Sequence, residues 1–125
     1  AAAEVAERAG TLASMVDQKV LGGVENMAYL DAECPHCGQS HRLDLFGTGG
    51  GARVAEALSL RLGYEVPLLA EVPIDAQMSA SGDAGVPLVR AEAARPAAAA
   101  LAGLADRLAA RRRGLAGRKL TLHVG

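Results

Sequence analysis

Val20-Leu21-Gly22-Gly23-Val24-Glu25-Asn26-Met27 is short, branched and uncharged until Glu25, the pattern of a strand buried in a parallel sheet. Ahead of it, residues 3–18 place Val5, Ala9, Leu12 and Val16 at i, i+4, i+7 and i+11, one apolar helical stripe. Glu4 and Glu7 lie near its start, where the helix dipole favours acids. A helix leading into a buried strand is half of a parallel α/β repeat. The expected fold class is therefore α/β, a mostly parallel sheet flanked by helices, in a single domain spanning residues 1–125.

The chain downstream continues that pattern after an interruption. Residues 31–41 read as a polar loop, residues 42–46 as a short edge strand, and residues 47–51 as a glycine-rich break. Residues 52–62 put Val54, Leu58 and Leu62 on one helical face, with Gly63 as the C-cap. Residues 66–72 form a second buried strand ending at Pro73, with Pro67 weakening its first residues. Residues 74–87 mix Asp, Ser and Gly, as expected of a short helix and a loop. Pro96 suits the first position of a helix; Leu101, Leu104 and Leu108 carry its stripe to about Arg113, and Gly114 ends it. Leu120, Leu122 and Val124 alternate with Thr121 and His123 in a predicted terminal strand.

Composition narrows the function classes. Half of the 125 residues are hydrophobic, yet Trp is absent and there are two Tyr and one Phe, so the core is built from Ala, Leu and Val. A net charge of −1 argues against an electrostatic nucleic-acid binder. Arg111, Arg112, Arg113, Arg118 and Lys119 cluster without interleaved aromatics, which reads as a solvated helix end. No apolar run approaches the roughly 18 residues of a membrane span, and no signal-peptide pattern opens the chain. Two cysteines in one tight turn suit a reducing, cytoplasmic compartment. The first residue is Ala, already inside a helical pattern, as expected of a piece of a longer protein.

Cys34-Pro35-His36-Cys37-Gly38 carries the chemistry. A C-x-x-C turn aims two thiolates at one point, suiting a soft metal, a cluster or a disulfide. Two thiolates are half of a tetrahedral sulfur site; histidines, water or a second copy of the chain must supply the rest. His36 and His41 are candidates to complete a zinc site, the alternative being two exposed loop histidines. A redox dithiol needs the motif at a helix start directly after a strand, and Gly38 with the polar stretch beyond it gives little support for one. Gly47-x-Gly49-x-x-Ala52 has the spacing of a dinucleotide-binding loop, or is simply a flexible approach to the next helix. Asn26, at the end of the first strand, can offer a donor and an acceptor to a base edge, or can form a turn.

In order along the chain, GGVENMAYL (22–30), CPHCG (34–38), LFGTGGGARVAEAL (45–58), VPLLAEVPID (66–75) and SGDAGVPLV (81–89) resemble the C-terminal portion of the Mrp/ApbC group of iron–sulfur cluster carriers, MinD-like P-loop NTPases. The resemblance implies that Cys34 and Cys37 bind a [4Fe–4S] cluster bridged between two subunits of a homodimer. It implies that Asn26 contacts the adenine of ATP and that Val72-Pro73-Ile74-Asp75 packs along the base, with Pro73 and Asp75 among its contacts. It also implies slow ATP hydrolysis by the full-length proteins and transfer of clusters to apo-iron–sulfur proteins. The K-G-G-x-G-K-S/T loop of the family is absent from these 125 residues, so this chain alone is not expected to hydrolyse ATP. Zinc as a substitute metal, a zinc module on Cys34, Cys37 and His41, and a dinucleotide-binding enzyme remain as alternatives.

Overall fold

The computed structural model describes residues 1–115. Its elements are α1 (Ala2–Met15), β1 (Gly23–Glu25), β2 (Leu30–Glu33), β3 (Ser40–Leu43), α2 (Gly50–Leu62), β4 (Leu68–Glu71), α3 (Ala76–Asp83), α4 (Leu88–Ala91) and α5 (Pro96–Leu115). β1 and β4 pair in parallel, Gly23 opposite Leu68, Val24 opposite Ala70 and Glu25 opposite Glu71, with an irregularity after Gly23. α2 makes the crossover between them, which is the connection parallel strands require. β2 and β3 form a separate antiparallel hairpin, inserted where β1 ends and before α2 begins. The fold is thus α/β, a small parallel sheet flanked by helices.

Local sequence explains these elements. α2 ends where Gly63 turns left-handed at φ 75°. Its start lies against β1. The Gly51 N–H donates to the Glu25 carboxylate at 3.0 Å. A Cβ on Gly51 would come within 2.6 Å of that carboxylate and 2.9 Å of Leu68, so only glycine lets helix and strand approach this closely. Ser59 Oγ accepts from the Val66 N–H at 2.8 Å, tying the end of α2 to the approach of β4. Val72, Leu88, Ala97 and Ala98 form a buried cluster, with Met78, Ala100 and Leu101 packed against it. These small side chains allow α5 to lie close to the sheet.

Several sequence expectations are corrected. The strand expected over residues 20–27 is three residues long, and Val24 is 46% exposed; among the described residues only β4 pairs with β1, so its other edge is open. Residues 31–41 are not a loop throughout, because the alternation Leu30-Asp31-Ala32-Glu33 pairs with Ser40–Leu43. The edge strand expected at 42–46 is displaced to Ser40–Leu43, and Leu45 and Phe46 are exposed beyond it. The apolar stripe of α1 faces outward, with Val5, Leu12 and Val16 61–67% exposed; α1 packs on α2 through Gly10, whose backbone abuts the Leu58 side chain. α4 was not anticipated. α5 begins at Pro96 as expected but continues through Gly114 to Leu115. The expected terminal strand, like Arg118 and Lys119, lies outside the described residues.

Asp75 joins the end of the sheet to α5. It caps α3, its Oδ1 accepting from the Gln77 N–H at 2.9 Å. It also receives two bonds from Arg95, Nε to Oδ2 at 2.7 Å and NH2 to Oδ1 at 2.8 Å. Its side chain is 5% exposed. The Arg95 guanidinium holds the Asp75 carboxyl below the usual Asp range, with the Gln77 N–H adding to the effect against burial. A depressed folded value means that this contribution is complete above the ordinary Asp value of about 3.9 and is lost as pH falls through the lower folded value. Asp75→Ala removes a cap and a charge-assisted pair, an expected loss of about 2 kcal/mol near neutrality. Urea unfolding of the two chains should show that gap at neutral pH and show it narrowing as pH falls below the ordinary Asp value of about 3.9; equal midpoints at neutral pH would contradict the assigned role.

Candidate metal centre

The ladder of the hairpin builds the site. Leu30 faces Leu43, Asp31 faces Arg42, Ala32 faces His41 and Glu33 faces Ser40. The Cys34 N–H donates to the Gln39 carbonyl at 2.9 Å, extending the pairing by one step. The Gly38 N–H then donates back to the Cys34 carbonyl at 2.8 Å. That closure puts Gly38 at φ 68°, a conformation that costs glycine little and other residues more. At the hairpin base, the Arg42 guanidinium stacks on the Tyr29 ring at 3.8 Å and its Nε donates to Asp44 at 3.3 Å.

Cys34, Cys37 and His41 converge, with Sγ, Sγ and an imidazole nitrogen all within 4.8 Å of one another. Cys34 is half-buried, while Cys37 and His41 are exposed. Both cysteines are free. The main chain of Cys37, then that of His36, and then the Cys37 thiol favour a thiolate at Cys34. These hold the Cys34 thiol below its ordinary value, against the opposing effect of burial. His36 contributes its main chain to the turn, and its ring is not among the converging groups. The sequence treated the two histidines alike; register separates them, because His41 sits on a strand opposite Ala32 whereas His36 sits at the tip.

The other candidate residues lie at the carboxyl ends of the parallel strands. The Ala28 N–H donates to the Val72 carbonyl at 3.0 Å and the Ile74 N–H to the Tyr29 carbonyl at 2.7 Å, so the segment after Asn26 runs beside residues 72–75. Asn26 is exposed and its Oδ1 accepts from the Met27 N–H. Pro73 is buried. Both Asp75 oxygens are engaged by Arg95 and Gln77. Glu25 and Arg95, which the sequence reading passed over, organise this region; neither belongs to a motif, and their partners are distant in the chain.

The glycine stretch does not fit a phosphate. Its helix N-terminus, where an anion would bind, is taken by the Glu25 carboxylate. The strand before it belongs to the hairpin and not to the parallel sheet, so the dinucleotide fingerprint lacks its structural context. The C-x-x-C turn opens no helix, which removes the context of a redox dithiol. Among the described residues, no helix is long and apolar enough to cross a membrane.

A hairpin inserted at the carboxyl end of a parallel strand thus gives an α/β protein a group of soft donors, Cys34, Cys37 and His41, that could hold a metal ion. The family model described as "ParA: NUBPL iron-transfer P-loop NTPase" matches residues 1–109, and the chain belongs to that family. It is 46% identical over 122 residues to the iron-sulfur cluster carrier protein of Mycobacterium tuberculosis (strain H37Rv), covering 98% of this chain and 31% of the relative. It is also 40% identical over 85 residues to the iron-sulfur cluster carrier protein of Pyrococcus furiosus, covering 68% of this chain and 25% of that one. A third relative of the same name, from Deinococcus radiodurans, is 41% identical over 90 residues, 72% of this chain and 22% of its own. The chain therefore spans about a third, or less, of the length of the curated relatives it matches.

The lowered Cys34 thiol is directly measurable. Alkylation by iodoacetamide across about pH 6 to 10, read by peptide mass spectrometry, should give Cys34 a rate midpoint below the ordinary free-thiol value of about 8.5. A midpoint at or above that value would show that the main chain of the turn does not stabilise the thiolate.

Proposed function

We propose that this chain is the cluster-holding part of an iron–sulfur cluster carrier, with Cys34 and Cys37 as its ligands. The observation that carries this reading is the convergence of two free thiols, one exposed and one half-exposed, at the tip of a hairpin in a chain whose relatives are named for cluster carriage. The cargo is a [4Fe–4S] cluster, which takes four thiolates; one hairpin has two, so two copies share it across a two-fold axis. Transfer is a ligand exchange. An acceptor's cysteine thiolate forms a bond to iron as the bond to Cys34 or Cys37 breaks, with no net change in oxidation state. Exposure of the sulfurs lets the acceptor reach them.

The scaffold is read as part of a MinD-like P-loop fold, with residues 1–125 as a single domain, in a cytoplasmic, reducing setting that keeps both thiols free. In the full-length protein the cluster cycle is read as linked to ATP, in keeping with a family described as a P-loop NTPase. Here Asn26 and the edge formed by residues 72–75, Pro73 and the Asp75 backbone among them, would line the adenine. Among the described residues the one glycine-rich helix start is occupied by the Glu25 carboxylate, so the phosphates would be held by another part of the protein.

Anaerobic reconstitution with ferric iron, sulfide and excess dithiothreitol tests the reading. The wild-type chain should turn brown, with one cluster per dimer by iron and sulfide analysis and by native mass. Cys34→Ala and Cys37→Ala should each lower cluster retention about tenfold or more, the scale seen when even an outer partner of a metal ligand is lost. Either single variant holding a full, stable cluster as a monomer would overturn the bridged site.

A further inference from the structure

The hairpin brings three donors together where the bridged cluster uses two. We propose that Cys34, Cys37 and His41 of a single chain form a mononuclear site for a borderline divalent ion, Zn²⁺, with one exchangeable position, and that this ion and the shared cluster exclude one another. The inference rests on Cys34 and Cys37 being metal ligands, and adds a third ligand and a second, monomeric state.

Register is the main argument. Ala32 pairs with His41, and Cys34 lies two residues beyond Ala32. Side chains alternate along a strand, so Ala32, Cys34 and His41 share one face of the hairpin, and His41 is the diagonal neighbour of Cys34, within cross-strand reach. Ala32 ends at its methyl group, leaving room for the imidazole to lean toward the tip. The Gly38 turn then folds Cys37 back over the same face. The result is a C-x-x-C-x-x-x-H spacing in which all three donor atoms lie within 4.8 Å.

The distances suit one ion. Around tetrahedral Zn²⁺, Zn–S bonds of about 2.3 Å and Zn–N bonds of about 2.0 Å put neighbouring donors about 3.5 to 3.8 Å apart. Closing from 4.8 Å requires only small rotations of side chains, and two of the three are exposed and free to make them. The donor set of two thiolates and one imidazole is the chemistry Zn²⁺ favours. On binding, the two thiols lose their protons to water, the neutral imidazole donates its lone pair, and three metal–ligand bonds form as the hydrated ion gives up its waters at those positions, with no redox change. Among the described residues the group has three members, so water or an external thiolate fills the fourth place. Three protein ligands and an open position mark an exchangeable site, not a closed structural one. Because the same two sulfurs are used, a chain holding Zn²⁺ cannot share a cluster until the ion leaves.

Co²⁺, a spectroscopic stand-in for Zn²⁺, provides the test under anaerobic conditions. The wild-type chain should bind one Co²⁺ per monomer, with sulfur-to-cobalt charge-transfer bands and the intense visible bands of tetrahedral cobalt, both abolished by Zn²⁺. His41→Ala should weaken binding by at least about tenfold and shift the visible bands, whereas His36→Ala should leave both unchanged. His41→Gln should behave as His41→Ala, and because position 41 is exposed, far-ultraviolet circular dichroism should show the variants folded. Prior loading with Zn²⁺ should block cluster reconstitution. Identical affinity and visible bands in wild type and His41→Ala would overturn the inference, as would one Co²⁺ shared by a dimer. Failure of cluster assembly with Co²⁺ binding intact would sink the carrier reading and leave this site standing. Unimpaired Co²⁺ binding by both cysteine variants would sink both.

Discussion

The short antiparallel ladder from Leu30 opposite Leu43 to Glu33 opposite Ser40 is the constraint on which the site depends. A C-x-x-C turn on a long flexible loop would spread its sulfurs over many positions, at an ordering cost of about 1–2 kcal/mol per residue fixed. Here the main-chain pairing fixes most of those residues before any ligand arrives. The bonds between Cys34 and Gln39 and between Gly38 and Cys34 carry the order to the tip, and Arg42 stacked on Tyr29 secures the base. The arm is stiff while its end remains open to water, which is what a ligand pair must be if another protein is to take its cargo.

The arm is anchored by a second constraint, the close approach of α2 to β1. Glu25 ends β1, and its carboxylate accepts from the Gly51 N–H at the start of α2. The hairpin leaves the scaffold between these two residues, so one hydrogen bond pins both of its roots. The same bond settles what the glycine-rich segment does. Gly51 serves contact between helix and strand, and the anion at the helix start belongs to the protein itself.

Much of this was legible in the sequence, and the exceptions have physical causes. The parallel pair, the crossover helix with Gly63 at its end and the start of α5 at Pro96 follow from periodicity and cap residues, which act locally. The hairpin was hidden because its strands carry Asp31, Glu33, His41 and Arg42, a composition that reads as loop, and because its stability comes from backbone pairing. The outward turn of Val5, Leu12 and Val16 could not be inferred from their spacing, since spacing identifies a stripe and not what covers it. Cys34 and Cys37 were evident as a motif. The separation of His41 from His36 required the strand register, and the engagement of Asp75 by Arg95 required tertiary structure across 20 residues.

The scarcity of aromatic side chains has a practical consequence. The chain has no Trp, and its two tyrosines stand at structurally distinct places. Tyr29 lies under Arg42 at the root of the arm, and the Tyr64 hydroxyl accepts from the Val20 N–H on the approach to β1, at 3.0 Å. Tyrosine emission from this protein therefore arises from these two rings, with no indole to mask it. A coloured iron or cobalt centre at the tip would quench Tyr29 by energy transfer, giving the molecule an intrinsic optical gauge of its own occupancy without any added dye.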